Sequence, residues 1–161
     1  MRLWVVDTSP LIFLAKLDRL DLLQRGADQV VAPPAVFQEI DEYPDVASNR
    51  IEDAKKSWLQ VRAVEDRRLV DVLMADLDAG ESEVIALALE VEAERAVLDD
   101  LDARRLAQRL GVAPVGTLGL LLAAKLRGKI PSLRAEIDRL RQAGFRVSPT
   151  LSQAVLREAG E

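Results

Sequence analysis

The chain has 161 residues, 49% of them hydrophobic and 30% charged, with a formal net charge of −5. That size and composition predict a single globular domain, and no stretch approaches the roughly 18 unbroken apolar residues of a membrane span. There is no cysteine and no histidine; disulfide frameworks, thiolate chemistry, Ser-His-Asp triads and histidine–zinc sites are excluded, and catalysis must rest on Asp, Glu, Lys, Arg, Ser or Thr.

In chain order, Leu3–Val6 is a short continuous apolar run, as expected of a strand covered on both faces, and it stops at Asp7. Pro10 suits the first turn of a helix, with Thr8 or Ser9 as N-cap and Leu11, Leu14, Ala15 and Leu17 as its core face. A short helix is predicted over 20–25 and a strand over 29–32, halted by Pro33-Pro34. A helix over 35–43 follows, with Val36, Ile40 and Tyr43 on one side. A polar helix over 46–57, an edge strand over 59–64 and a helix over 67–75 come next. After the Asp78-Ala79-Gly80 turn a strong helix is predicted over 81–94, then a buried strand over 96–98 and a helix to Leu110 that stops at Gly111. A last short strand over 112–115 precedes an apolar helix over 117–127 and an amphipathic one over 133–142. The expected organisation is a domain over 1–146 and a helical, partner-contacting tail over 147–161.

Strands alternating with helices at these spacings predict an α/β fold with a central, mostly parallel sheet covered by helices on both faces. Ligands of such sheets bind at the carboxyl ends of the strands, where Asp7 and the Asp99-Asp100 pair are placed. Glu39 and Glu81 or Glu83 are the other acids that stand out. At about 100° per residue Glu81 shares a face with Val84, Ile85 and Ala88, whereas Glu83 falls with Glu90 and Glu94. Glu81 is therefore expected to face the sheet. A carboxylate placed there needs a partner, and a hard cation such as Mg²⁺ or Mn²⁺ suits an all-oxygen set.

Charge is uneven. Lys125 to Arg146 carries seven basic and two acidic residues, +5, which leaves −10 for the remainder. An acidic body beside a basic flank fits a metal-binding cleft next to a polyanion-binding surface. The amino terminus lacks the basic and long apolar regions of a signal peptide, and a cytoplasmic location is expected.

The stretches DTSPLI, PPAVFQEI, DAGESEVIALALE and AVLDDLDARRLAQRLGV resemble, in order and spacing, the motif series of PIN-domain nucleases. PVGTLGLLLAAKLRGKIPSL resembles a prokaryotic PIN subgroup akin to VapC-type toxins. The resemblance implies a three-layer α/β/α fold and a ribonuclease that uses one or two Mg²⁺ or Mn²⁺ ions. By position it implies Asp7, Glu39, Glu81 and Asp100 as metal-binding, catalytic acids, with Glu83 and Asp99 as alternates and Thr8 or Ser9 as the accompanying hydroxyl. Many relatives carry Asp where Glu81 stands. RNA contacts are expected from Lys125, Arg127, Lys129, Arg134, Arg139 and Arg141, and few aromatic residues leave little base stacking. The expected role is the toxin of a toxin–antitoxin pair, a homodimer that meets a small antitoxin. The alternative is a PIN-like protein that binds RNA or antitoxin without cutting.

Overall fold

A computed structural model of the chain describes residues 1–42 and 44–161. The expected core contact of Tyr43 lies outside the described residues. In chain order the elements are β1 (Leu3–Val6), α1 (Thr8–Lys16), α2 (Asp21–Gly26), β2 (Gln29–Ala32), α3 (Pro34–Glu42), α4 (Val46–Lys55) and β3 (Leu59–Val61). They continue with α5 (Arg67–Leu73), α6 (Ala79–Glu90), β4 (Arg95–Val97), α7 (Leu101–Arg109) and β5 (Pro114–Val115). The last three are α8 (Thr117–Leu126), α9 (Leu133–Gln142) and α10 (Pro149–Glu158).

The strands form one sheet in the order β3-β2-β1-β4-β5, and every pairing is parallel. Helices flank it on both faces, which makes the three-layer α/β/α arrangement of a PIN-like fold. β1 is central, with Val5 in register with Val31 of β2 and Ala96 of β4. Val5, Val6, Val31 and Ala96 are fully buried, which is why the strands read as unbroken apolar runs rather than as alternation. The sequence order reverses between β1 and β4, and in open parallel sheets that reversal leaves a crevice at the carboxyl ends of the two strands.

Several boundaries differ from expectation for local reasons. The first helix begins at Thr8, with Asp7 rather than Thr8 or Ser9 at its N-cap position. Pro34 opens α3, where its missing N–H costs nothing. The predicted polar helix over 46–57 is shorter and buries Ala47, Ile51 and Ala54. The predicted helix over 81–94 runs instead from Ala79 to Glu90. It stops early because Glu92 takes a left-handed backbone (φ +52°), which frees the chain to enter β4 at Arg95. Residues 149–158 form the expected tail helix, α10, which packs on α8 and α9 of the same chain with Leu156 buried.

Gly26 closes α2 directly against the Trp4 ring, and a β carbon there would overlap the indole. Gly26→Ala is expected to cost about 1–3 kcal/mol through overpacking, read as a lower denaturant midpoint with an unchanged slope. A variant as stable as the parent would show that Trp4 has room to move.

Candidate active site

The β1–β4 ladder runs up to the site, since the Asp7 N–H donates to the Val97 carbonyl at 3.0 Å. Parallel pairing of Val6 with Val97 sets Asp7 beside the chain that leads into Asp99 and Asp100. α3 brings Glu39 and the start of α6 brings Asp78 and Glu81, so that all six carboxylates line one cleft of about 570 Å³.

Asp7 is 6% exposed. It occupies the N-cap position of α1, yet its side chain makes no capping hydrogen bond and its Oδ1 is buried without a partner. The Thr8 hydroxyl is buried and unpartnered as well. Glu39 and Asp7 crowd the α carbon of Gly80, where any β carbon would collide with the Glu39 carboxylate. The absence of a side chain at 80 is what lets α6 approach the two acids.

The paired alternatives separate by what each carboxylate already holds. Asp99 accepts from the Thr117 N–H at 2.7 Å, the Thr117 hydroxyl at 2.8 Å and the Ser9 hydroxyl at 2.7 Å. It ties α1 to the start of α8, and Ser9 serves that tie. Asp100 caps α7 through Oδ2, which accepts from the Ala103 N–H at 2.9 Å. Glu81 shares a capping box with Asp78: its N–H donates to Asp78 Oδ1 at 2.7 Å, and the Asp78 N–H donates to Glu81 Oε1 at 3.2 Å. Glu83 is outside the cleft. Its carboxylate accepts from the Ala35 N–H at 3.2 Å and from Arg67 at 3.2 Å.

The expectation that the face of Glu81 is the buried one, with Glu83 on the other side beside Glu90 and Glu94, does not hold. Glu83 is buried more deeply than Glu81, because Gly80 and Ser82 to Ala88 are all covered. α6 packs against β1, α3 and α5 and has no solvent face over that span, so helical phase alone does not sort its two acids.

Among the described residues no three of these acids draw close enough to form a ready-made cation shell. Their protonation reflects burial and mutual repulsion. Burial, joined by the charges of Asp78, Glu39 and Glu81, holds the Asp7 carboxyl well above the usual range. Burial and then the charge of Asp78 raise Glu39. Burial, with Asp78 and Asp100 nearby, pushes Glu81 up to about 7. An orphaned buried carboxylate oxygen amid all-oxygen donors fits a hard divalent ion.

Asp78 was missed as a site residue because Asp78-Ala79-Gly80 reads as a turn; its spacing from Glu81 is the capping-box signal. Phe13, Phe145 and Arg146 were missed too, and all three line the cleft. The phenyl rings stand edge to face at 4.9 Å, so two of the chain's three phenylalanines sit beside the acids despite the low aromatic content. None of the six predicted RNA-contacting cations lines the cleft. Lys125 donates to the Pro131 carbonyl, Arg139 to Glu136 and the Leu17 carbonyl, and Arg141 to the Val147 carbonyl. Arg134 lies with Arg141 in a groove beside α10, and Arg127 and Lys129 line a separate cavity. No described helix is long and apolar enough to cross a membrane.

The family model described as a PIN domain matches residues 3–161. Among solved structures, a PilT N-terminus domain protein from the hyperthermophilic archaeon Sulfolobus solfataricus aligns with a TM-score of 0.59 and 22% identity, over 76% of this chain and 92% of that one. No curated protein matches the sequence.

A carboxyl raised on folding adds stability that is complete below its unfolded pKa, 4.5 for Glu81, and is lost as pH rises through about 7. The metal-free protein should therefore lose melting temperature as pH climbs through that window, and Glu81→Gln should flatten the decline. A variant with the parent's pH profile would show that Glu81 ionises freely.

Proposed function

The chain belongs to the PIN-domain family, whose members are generally nucleases, and on that premise we propose that it is a divalent-metal-dependent endoribonuclease. The observation that carries this reading is Asp7, a buried carboxylate at a helix N-cap position that does not cap and whose Oδ1 bonds to nothing. A purely structural Asp at that position would use its oxygen on the N–H groups in front of it. This one keeps its unused oxygen beside Gly80, on a residue that lines a cleft with Glu39, Glu81 and Asp100.

Those four acids would hold Mg²⁺ or Mn²⁺, one ion or two. When bound, such an ion supplies neutralisation of phosphodiester charge and a more acidic water at neutral pH. Asp7 and Glu39 are held against Gly80, Glu81 by its capping box, and Asp100 by its cap on α7. Asp99, its oxygens engaged by Ser9 and Thr117, positions the loop and keeps its place without taking part. Elsewhere in the cleft Arg146 pairs with a backbone phosphate, and the Phe13–Phe145 pair offers apolar surface to an unstacked base. Single-stranded or looped RNA, whose bases are free to splay, suits that surface.

Within the same reading, the protein acts as the toxin of a toxin–antitoxin pair, as a homodimer restrained by a small antitoxin. The resemblance of its 114–133 segment to VapC-type toxins supports that role.

Purified protein is expected to cut a fluorogenic single-stranded RNA with Mg²⁺ or Mn²⁺ and to stop in EDTA. Asp7→Asn should lower cleavage roughly 100-fold or more, the scale on which charge-stabilising groups act. The same change should leave the metal-free melting temperature equal or higher, since Asp7 makes no capping bond to lose and one repelling charge is gone. Undiminished cutting by Asp7→Asn would sink the proposed site. RNA binding without cutting by the parent protein would favour the non-catalytic alternative.

The two α6 acids give a sharper comparison. Glu81→Gln is expected to abolish most cleavage. Glu83→Gln should retain it and show a lower melting temperature, because its carboxylate serves Arg67 and the Ala35 N–H. The opposite ranking would exchange their roles.

A further inference from the structure

A second cavity, of about 330 Å³, lies between α2, α8 and the first residues of β1 and β4. Arg2 precedes β1 and Arg95 opens β4, so this cavity sits at the amino end of the sheet, where the acidic cleft is at the carboxyl end. Six cations line it, Arg2, Arg19, Arg25, Arg95, Arg127 and Lys129, against one acid, Asp21. That is a concentration of positive charge in a chain whose net charge is −5.

Half of these cations are already spoken for. Arg2 pairs with Glu94 at 3.1 Å, Arg19 with Glu136 at 2.7 Å and Arg25 loosely with Asp21 at 4.0 Å. Arg95, Arg127 and Lys129 have no ion-pair partner among the described residues. Arg19 adds a further unused donor, because its Nε is buried and bonds to nothing. Three unpaired cations around one concavity repel one another, and a surface that only needed to be soluble would disperse them or interleave acids.

The rest of the lining is apolar. Leu120 and Ala124 of α8 are buried, Leu22 of α2 is half-buried, and the Trp4 ring closes one wall against Gly26. A cavity that joins an apolar wall to a cationic rim selects a molecule with the same two parts, a flat apolar body and a compact anion. Its volume falls near the lower limit of the ~300–1,000 Å³ usual for small-molecule sites, which admits one nucleotide unit and not a chain of them.

We propose that this cavity binds a nucleoside monophosphate, with the base against Leu22 and Leu120 and the phosphate between Arg95, Arg127 and Lys129. It is separate from the acidic cleft and does not require that cleft to be catalytic.

The test is isothermal titration calorimetry of the full chain with AMP, adenosine, inorganic phosphate and a ten-nucleotide single-stranded RNA. All titrations are run in EDTA, so that the acid cleft has no cation through which to hold phosphate. AMP should bind one per chain, and more tightly than either adenosine or phosphate, because only AMP satisfies both halves of the cavity. Arg127→Ala/Lys129→Ala, at exposed positions that leave the core intact, should weaken AMP about tenfold or more, as expected for loss of charge-assisted contacts, and leave adenosine unchanged. Arg95→Gln should weaken it in the same direction. Equal affinity for AMP and inorganic phosphate, or AMP binding indifferent to all three substitutions, would overturn the proposal. So would binding of the RNA alone, which would make the groove a nucleic-acid surface.

Discussion

The structure turns on a repulsion. Asp7, Glu39, Asp78, Glu81, Asp99 and Asp100 line one cleft, and the burial of Asp7 makes the repulsion it feels stronger than it would be in water. Part of the tension is relieved by commitment. Asp78 and Glu81 spend oxygens on each other's N–H groups, Asp100 spends one on α7, and Asp99 spends both on α1 and α8. Asp7 is left with a buried Oδ1 that has nothing to accept. A buried oxygen without a donor is costly unless something outside the chain completes it.

The same division of labour runs through the surroundings. Glu83, about 200° around α6 from Glu81, is as much a part of the core as of the charge inventory, because it joins α6 to Arg67 and to the start of α3. Thr117 and Ser9 together engage both oxygens of Asp99, which braces α1 against α8. Acids that look equivalent in composition thus differ in the donors that reach them: Glu83 and Asp99 have both oxygens engaged, whereas Glu81 and Asp100 each spend one on a cap and Asp7 keeps a buried one free.

Much of this was legible in the sequence where one physical effect dominated. Gln29–Ala32 and Leu133–Gln142 were read to the residue, the first because a doubly covered strand shows as an apolar run and the second because its two faces differ sharply. Asp7 was recognisable because an apolar strand ends on it. The rest was hidden where distant segments decide. Helical phase treats a helix as having one buried face, and α6 is covered on all sides, so Glu83 was misplaced. Phe145 and Arg146 follow a C-terminal helix and reach the cleft only through tertiary packing, with Phe145 meeting Phe13 from the first helix. No local pattern encodes that meeting. The basic run from Lys125 was visible as charge, but its members divide among intramolecular ties, a groove and a cavity.

Strand order carries a consequence for time as well as space. β1 is the first strand made and the middle strand of the finished sheet, and its neighbour β4 arrives only after β2 and β3. The Ser9–Asp99 hydrogen bond spans 90 residues of chain. Contacts of such separation form late, since the loop between them must close before they contribute. The acids therefore remain strangers through most of synthesis, and the cleft comes into being with one of the last docking events rather than growing with the chain. A fold that closes its acidic cleft at the end leaves its unfinished forms without one.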